Sequence, residues 1–167
     1  VLTSKSGGTK ETRSAKLEVE EVFKKNNLDF DKQTAVITCK GSELDSKNYL
    51  ERFYIWDFIG GRTSITSAVG LLTLALMGKD IDLFLSGAAE MDEKTRQKDE
   101  NPAAELALSW YSMQKNMFIL PYADRLSLFG KYLQQLVMES LGKEKDLAGN
   151  TINAGLSVYG NKGSTDQ

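Results

Sequence analysis

The feature that most narrows the fold is a short, unbroken run, Ala35-Val36-Ile37-Thr38-Cys39, lying downstream of a helical repeat of apolar residues. A continuous apolar run of this length is expected of a strand buried on both faces, as in a parallel sheet. Upstream, Thr12, Ala15, Val19, Val22 and Phe23 share one face of a helix that Asn26-Asn27 ends. Before that helix, Val1-Leu2-Thr3 reads as the end of a strand and Ser4-Lys5-Ser6-Gly7-Gly8-Thr9 as a loop. Strand, loop, helix and strand in this order make a parallel βαβ unit.

The rest of the chain continues the alternation. An amphipathic stretch covers residues 46–53, and Gly60-Gly61 interrupts it before a long helix expected from Thr63. Ile65, Val69, Leu71, Leu72, Ala75 and Leu76 give that helix a broad apolar surface, which implies central burial, and Gly78 ends it. A further helix is expected over residues 80–91, followed by a charged connection over 92–100. Asn101-Pro102 marks the next helix start, with proline at its first position. This helix would turn Ala103, Leu106, Ala107, Trp110, Tyr111 and Met117 toward a core. Residues 118–121 read as a brief strand, and residues 123–140 as a helix presenting Leu126, Phe129, Leu133 and Val137. The glycine-rich tail is loop-like around one short strand over 156–159. The class is α/β.

A formal net charge of −2 gives no general affinity for nucleic acid or an anionic membrane. An anionic metabolite would have to be held by a local positive site. The single cysteine, Cys39, builds no disulfide framework and suits a reducing cytoplasm. The chain contains no histidine, so it supplies no imidazole acid–base group. No signal peptide is visible, the longest apolar run (68–77) is too short for a bilayer, and the abrupt start suggests a fragment.

Three places carry chemistry. The loop over residues 4–9 sets the hydroxyls of Ser4, Ser6 and Thr9 among glycines at a helix start, where backbone N–H groups and the helix dipole favour an anion. The same residues also suit a plain turn and helix cap. Gly60-Gly61-Arg62 precedes the next helix; Arg62 is either a stabiliser of negative charge or a surface arginine after a turn. Gln135 and Glu139, four residues apart, share a helical face. Glu139, partly desolvated near Leu136 and Met138, would serve as a base with Gln135 fixing a substrate oxygen; the pair equally suits a solvated face. Residues 160–165 form a further polar loop or a connection, and Trp56-Asp57 and Trp110-Tyr111 read as core packing.

In this order the pieces resemble the glucose-6-phosphate isomerase family. Ser4-Lys5-Ser6-Gly7-Gly8-Thr9-Lys10-Glu11-Thr12 is similar to its phosphate loop, and the segment from Phe53 to Ser64 to its signature ending in Gly-Gly-Arg. Ser86-Gly87-Ala88-Ala89-Glu90-Met91-Asp92 and Leu120-Pro121-Tyr122 also fit, and Gln134-Gln135-Leu136-Val137-Met138-Glu139-Ser140 resembles the segment bearing the catalytic glutamate. The resemblance runs the length of the chain. Three departures stand out: Leu136-Val137 where the family has Gly-Asp, Leu141 where it has asparagine, and Gly7-Gly8 in place of a threonine-rich pair.

The resemblance implies a three-layer αβα sandwich around a parallel sheet, flavodoxin-like, of the sugar-isomerase (SIS) type. Residues 1–77 would be the C-terminal part of a first SIS domain and 78–167 the N-terminal part of a second. It further implies a phosphorylated hexose as substrate, no cofactor and no metal, and a homodimer in the intact protein. Ser4, Ser6, Thr9 and the Lys5 backbone would hold the phosphate; Gly61 and Arg62 would face the reacting oxygens; Gln135 would position the sugar, and Glu139 would shuttle a proton between C1 and C2. The family's ring-opening histidine is expected just beyond a stretch resembling Gly163-Ser164-Thr165-Asp166-Gln167. A non-catalytic sugar-phosphate-binding module would need neither Arg62 nor Glu139.

Overall fold

Three parallel strands in the order β1 (Leu2–Thr3), β2 (Ala35–Thr38), β3 (Glu51–Tyr54) organise the first half of the chain. The computed structural model describes residues 1–113 and 116–166. Their contacts divide the chain into two units, residues 1–89 and 90–167.

In the first unit, β2 is the centre. Leu2 pairs with Val36, and Ile37 with both Thr3 and Phe53. Flanked on both edges, β2 is buried along almost its whole length, and Val36 and Thr38 are fully shielded from solvent. Val36, Leu44 and Tyr49 form the core cluster, with Leu2 and Phe30 packed against it. Helix α1 (Lys10–Lys25) makes the connection between β1 and β2, as expected for a βαβ unit. Its apolar face is only partly covered: Val19 and Val22 remain exposed, while Phe23 meets Phe30 edge-on at 5.4 Å between ring centres.

The stretch over 46–53 resolves differently from a single amphipathic segment. A 3₁₀ turn (Glu43–Ser46) ends the first part, and the second becomes β3, because β2 offers a free edge to its backbone. The helix expected from Thr63 likewise begins later. Residues Gly61–Thr66 form a 3₁₀ segment, and α2 (Ala68–Leu76) starts where the Ser67 hydroxyl accepts the Val69 N–H. Paired bonds from Gly78 N–H to Ala75 and from Lys79 N–H to Leu74 close its end, the double-bonded stop expected at Gly78. The central burial expected for α2 does not occur within this chain, since none of its residues is fully buried. Helix α3 (Ile81–Arg96) takes in residues 92–96 of the segment expected to be a charged connection, and residues 97–100 remain non-helical as expected. Ion pairs one turn apart, Glu90–Lys94 at 2.7 Å and Asp92–Arg96 at 2.9 Å, lie along that part.

The second unit is built on shorter elements. The Asn101 side chain accepts the Ala104 N–H to open α4 (Pro102–Met113), as Asn101-Pro102 predicts. Met117 belongs to β4 (Met117–Phe118), not to this helix, and Tyr111 is exposed rather than part of a core. The helix expected over 123–140 is instead a 3₁₀ turn, α5 (Phe129–Leu133) and a π-helical segment (Gln134–Glu139); only Val137 of its expected apolar stripe is buried. The tail holds a hairpin absent from the sequence reading, β5 (Lys143–Lys145) against β6 (Thr151–Ala154). Asp146 closes its turn by accepting the Ala148 and Asn150 N–H groups, both at 2.9 Å. Last come β7 (Val158–Tyr159), parallel to β4, and the short helix α6 (Gly163–Asp166). Parallel strands with helical connections place the chain in the α/β class. No helix among the described residues is long and apolar enough to cross a membrane.

Candidate active site

The loop over residues 4–9 leaves the sheet at the C-terminal end of β1, where ligands of open parallel sheets bind. Ser4 continues the ladder, donating its N–H to Ile37, while its carbonyl accepts the Thr38 hydroxyl at 2.7 Å. The next two carbonyls are pinned as well: that of Lys5 accepts the Cys39 N–H and that of Ser6 the Glu43 N–H. The loop is thus held by β2 and by the turn after it.

Within this frame the hydroxyls of Ser4 and Thr9 meet. Ser4 is buried; its Oγ accepts the Gly7 N–H at 3.1 Å and lies 3.3 Å from the Thr9 hydroxyl. Ser6 Oγ accepts the Gly8 N–H. Gly7 has φ +84°, and a Cβ there would stand 2.8 Å from that of Glu43, so both conformation and space require glycine. Thr9 precedes α1 in extended geometry and its side chain makes no capping bond. The Ser4 and Ser6 hydroxyls thus close a local turn, while Thr9 places no side-chain cap on the 16-residue α1, a geometry that suits both readings of these residues.

The second predicted place, Gly60-Gly61-Arg62, follows β3 in the same sheet. Ile55, at the strand's end, is buried and donates to the Thr38 carbonyl. Trp56 and Phe58 then stand exposed and stacked, with ring centres 6.4 Å apart, so Trp56 is not core packing. Gly60 is extended; Gly61 and Arg62 open the 3₁₀ segment, which Ser64 closes by donating its hydroxyl to the Gly61 carbonyl at 2.7 Å. Arg62 is half-buried, and a Cβ on Gly61 would meet nothing within 4 Å, so that side of the turn is open. The Lys5 ammonium joins the two places by donating to the Asp57 carbonyl.

Gln135 and Glu139 lie in the second unit, on the π-helical segment. Both are exposed while Val137, midway between them, is buried, so the two share the solvent side. Glu139 is thus exposed rather than partly desolvated, and Leu136 and Met138 are half-buried beside it. π-helical turns are rare and concentrate at functional sites. The segment is anchored through Gln134, whose side chain donates to the Val158 carbonyl at 3.0 Å. The loop after β7 is also tied down: Lys162 pairs with Asp124 at 2.6 Å, and that hydrogen bond holds the Asp124 carboxyl below its usual range. Gln167, the end of the Gly163–Gln167 stretch, lies outside the described residues.

Two contributors escaped the sequence reading. Thr38 reads in the sequence only as part of an apolar run, yet its hydroxyl pins the hydroxyl-lined loop and lies 2.6 Å from that of Ser42. A threonine at the C-terminal end of a buried strand was the available signal. The side chain of Lys5 gave none, because its partner is a backbone carbonyl 52 residues away.

The phosphoglucose isomerase family model matches residues 1–167. The chain is 57% identical to the glucose-6-phosphate isomerase of Gloeothece citriformis, with all of this chain and 34% of that protein covered. It is 56% identical to the chloroplastic glucose-6-phosphate isomerase 1 of Arabidopsis thaliana, covering 29% of it. A crystal structure of a glucose-6-phosphate isomerase from Chlamydia trachomatis superposes over 97% of this chain and 34% of its own, with TM-score 0.83 at 29% identity. A hypothetical protein of Thermus thermophilus gives TM-score 0.86 at 32% identity over 99% of this chain. The chain thus spans about a third of the length of the curated relatives it matches. With the full-length match, the shared fold and the hydroxyl loop beside a Gly-Gly-Arg turn, the chain belongs to the phosphoglucose isomerase family.

Proposed function

We propose that this chain is the central part of a glucose-6-phosphate isomerase, which interconverts glucose 6-phosphate and fructose 6-phosphate in the cytoplasm as a homodimer. The observation that carries the reading is the pairing, on one parallel sheet, of a hydroxyl-lined loop at a helix start with a Gly-Gly-Arg turn. Residues 1–77 and 78–167 are read as parts of two successive SIS domains.

In this reading the substrate phosphate sits at the N-terminus of α1, held by the hydroxyls of Ser4, Ser6 and Thr9 and the Lys5 backbone. The phosphate then orients the C1–C2 bond of the open-chain sugar. Glu139 takes the proton from C2 of the aldose, electrons shift toward the C1 oxygen, and Arg62 with Gly61 stabilises the resulting cis-enediolate. The proton of the C2 hydroxyl passes to the C1 oxygen, and the same carboxyl returns its proton to C1 as the C2 oxygen becomes the carbonyl, giving the ketose, while Gln135 fixes a substrate oxygen. A base and a cationic oxygen partner are sufficient for this exchange.

The test is Glu139→Gln in the full-length protein that contains this chain. A positioned general base is worth about 10²–10⁴-fold, so kcat falls by that factor while affinity for inorganic phosphate is retained. Near-normal turnover would remove Glu139 from the reaction. The isolated 167-residue chain, which contains no histidine, is expected to isomerise feebly at best.

A further inference from the structure

The segment between β3 and Gly60 is held differently from the loop it faces. Its internal closure is the bond from Ile59 N–H to the Trp56 carbonyl, and its large side chains, Trp56 and Phe58, are 70% and 80% exposed. Apolar burial therefore does little to fix this turn. Yet it immediately precedes Gly60-Gly61-Arg62, whose placement decides what the guanidinium can reach. The Lys5 side chain enters from another element: it passes the end of β2 and donates its ammonium to the Asp57 carbonyl. Lys5 itself is well anchored, since its carbonyl accepts the Cys39 N–H and the carbonyls on either side, of Ser4 and Ser6, are also bonded.

We propose that the Lys5 side chain is a positioning residue that fixes the Trp56–Ile59 turn, and with it Gly61 and Arg62, against the hydroxyl loop. The inference rests on the isomerase reading and adds a role for a side chain that the reading uses only through its backbone. Lysines in anion-binding loops commonly serve as point charges on phosphate. Here the ammonium is committed to a carbonyl of the neighbouring turn, so its effect should fall on the step that uses Arg62 rather than on phosphate capture. A displacement of about 1 Å in a stabilising group can cost as much as 10²-fold in rate.

The experiment compares Lys5→Met and Lys5→Arg in the full-length protein. Lys5→Met should lower kcat by about tenfold or more. Its inhibition constant for inorganic phosphate should stay within about twofold of the parent's. Lys5→Arg, which can still donate to the carbonyl, should recover most of the turnover. Independently of activity, amide hydrogen exchange over residues 56–62 should quicken in Lys5→Met and not in Lys5→Arg. Unchanged exchange over 56–62, or weakened phosphate binding at unchanged kcat, overturns the proposal and makes Lys5 a phosphate ligand or a bystander. If the parent protein itself shows no isomerase activity, the functional reading fails, and the exchange measurement still decides the role of Lys5.

Discussion

The two units solve the same local problem, strand end to loop to helix start, with different means. In the first, the loop after β1 is backed by a core: Val36, Ile37, Leu44, Tyr49 and Ile55 are buried, and polar bonds from Thr38 and Cys39 then set the loop's shape. In the second, the loop after β7 is backed by a two-residue parallel pair in which Val158 is buried and the remainder is largely open. There the order comes from polar ties: Gln134 to Val158, Lys162 to Asp124, and the Gly163 N–H to the Pro121 carbonyl. A hydrophobic core gains roughly 25 cal/mol per Å² of apolar surface removed from water, whereas a solvent-exposed ion pair adds about 0–1 kcal/mol. The hydroxyl loop thus stands on the firmer foundation, and the segment bearing Gln135 and Glu139 on the softer one.

This contrast can be broken at single residues, with Trp56 reporting on the first unit and Trp110 on the second. The largest effect is expected from Gly160→Ala. Gly160 has φ +142°, and a Cβ there would lie 1.9 Å from the Ile119 carbonyl oxygen, backbone against backbone. Left-handed strain and overpacking together should cost about 2–6 kcal/mol, seen as an earlier urea midpoint in Trp110 fluorescence. An unmoved midpoint would mean that the β4–β7 pair does not hold the second unit together.

Next comes Ile37→Ala, which empties the centre of the three-stranded sheet, where Ile37 is 2% exposed. The cost should be about 2–5 kcal/mol by the Trp56 signal. Gly7→Ala follows at about 1–3 kcal/mol from its positive φ, to which the 2.8 Å approach to the backbone-fixed Glu43 Cβ adds. In the full-length protein it should also weaken inhibition by inorganic phosphate; a stable variant with unaltered inhibition would detach the loop from anion binding.

The smallest effect concerns acid. The Gly41 N–H, then the Tyr54 hydroxyl and the Arg52 charge, hold the Asp45 carboxyl below its usual range. A carboxyl whose folded value lies below its unfolded one adds stability above the unfolded value and loses it as pH falls through the folded one. Stability of the first unit should therefore decline below the ordinary carboxylate range, and Asp45→Asn should flatten that decline. An identical acid profile in Asp45→Asn would exclude Asp45 as its source.

Much of the first unit was legible because its signals are local. The apolar run at 35–39, the repeat from Thr12 to Phe23 and the hydroxyl–glycine loop are each decided by residues within a few positions of one another. The candidate residues Ser4, Ser6, Thr9 and Arg62 were legible for the same reason, since chemistry and punctuation coincide in short motifs. β3 was not: Glu51-Arg52-Phe53-Tyr54 becomes a strand because β2 offers it a partner. The π-helical turn under Gln135 and Glu139 was equally invisible, because an α- and a π-spacing both bring residues four apart to one side.

By itself, then, the order of residues determined the α/β alternation, the hydroxyl–glycine turn at a helix start and which polar and charged groups stand as candidate site residues. These follow from hydrophobic period, glycine punctuation and side-chain chemistry, which need no distant partner. Only the tertiary structure decided which backbone edges pair, how far this chain's own contacts cover α2, and that Lys5 reaches across β2 to Asp57. Those outcomes depend on contacts between residues far apart in the chain, and a contact of that kind leaves no trace in either partner's own neighbourhood.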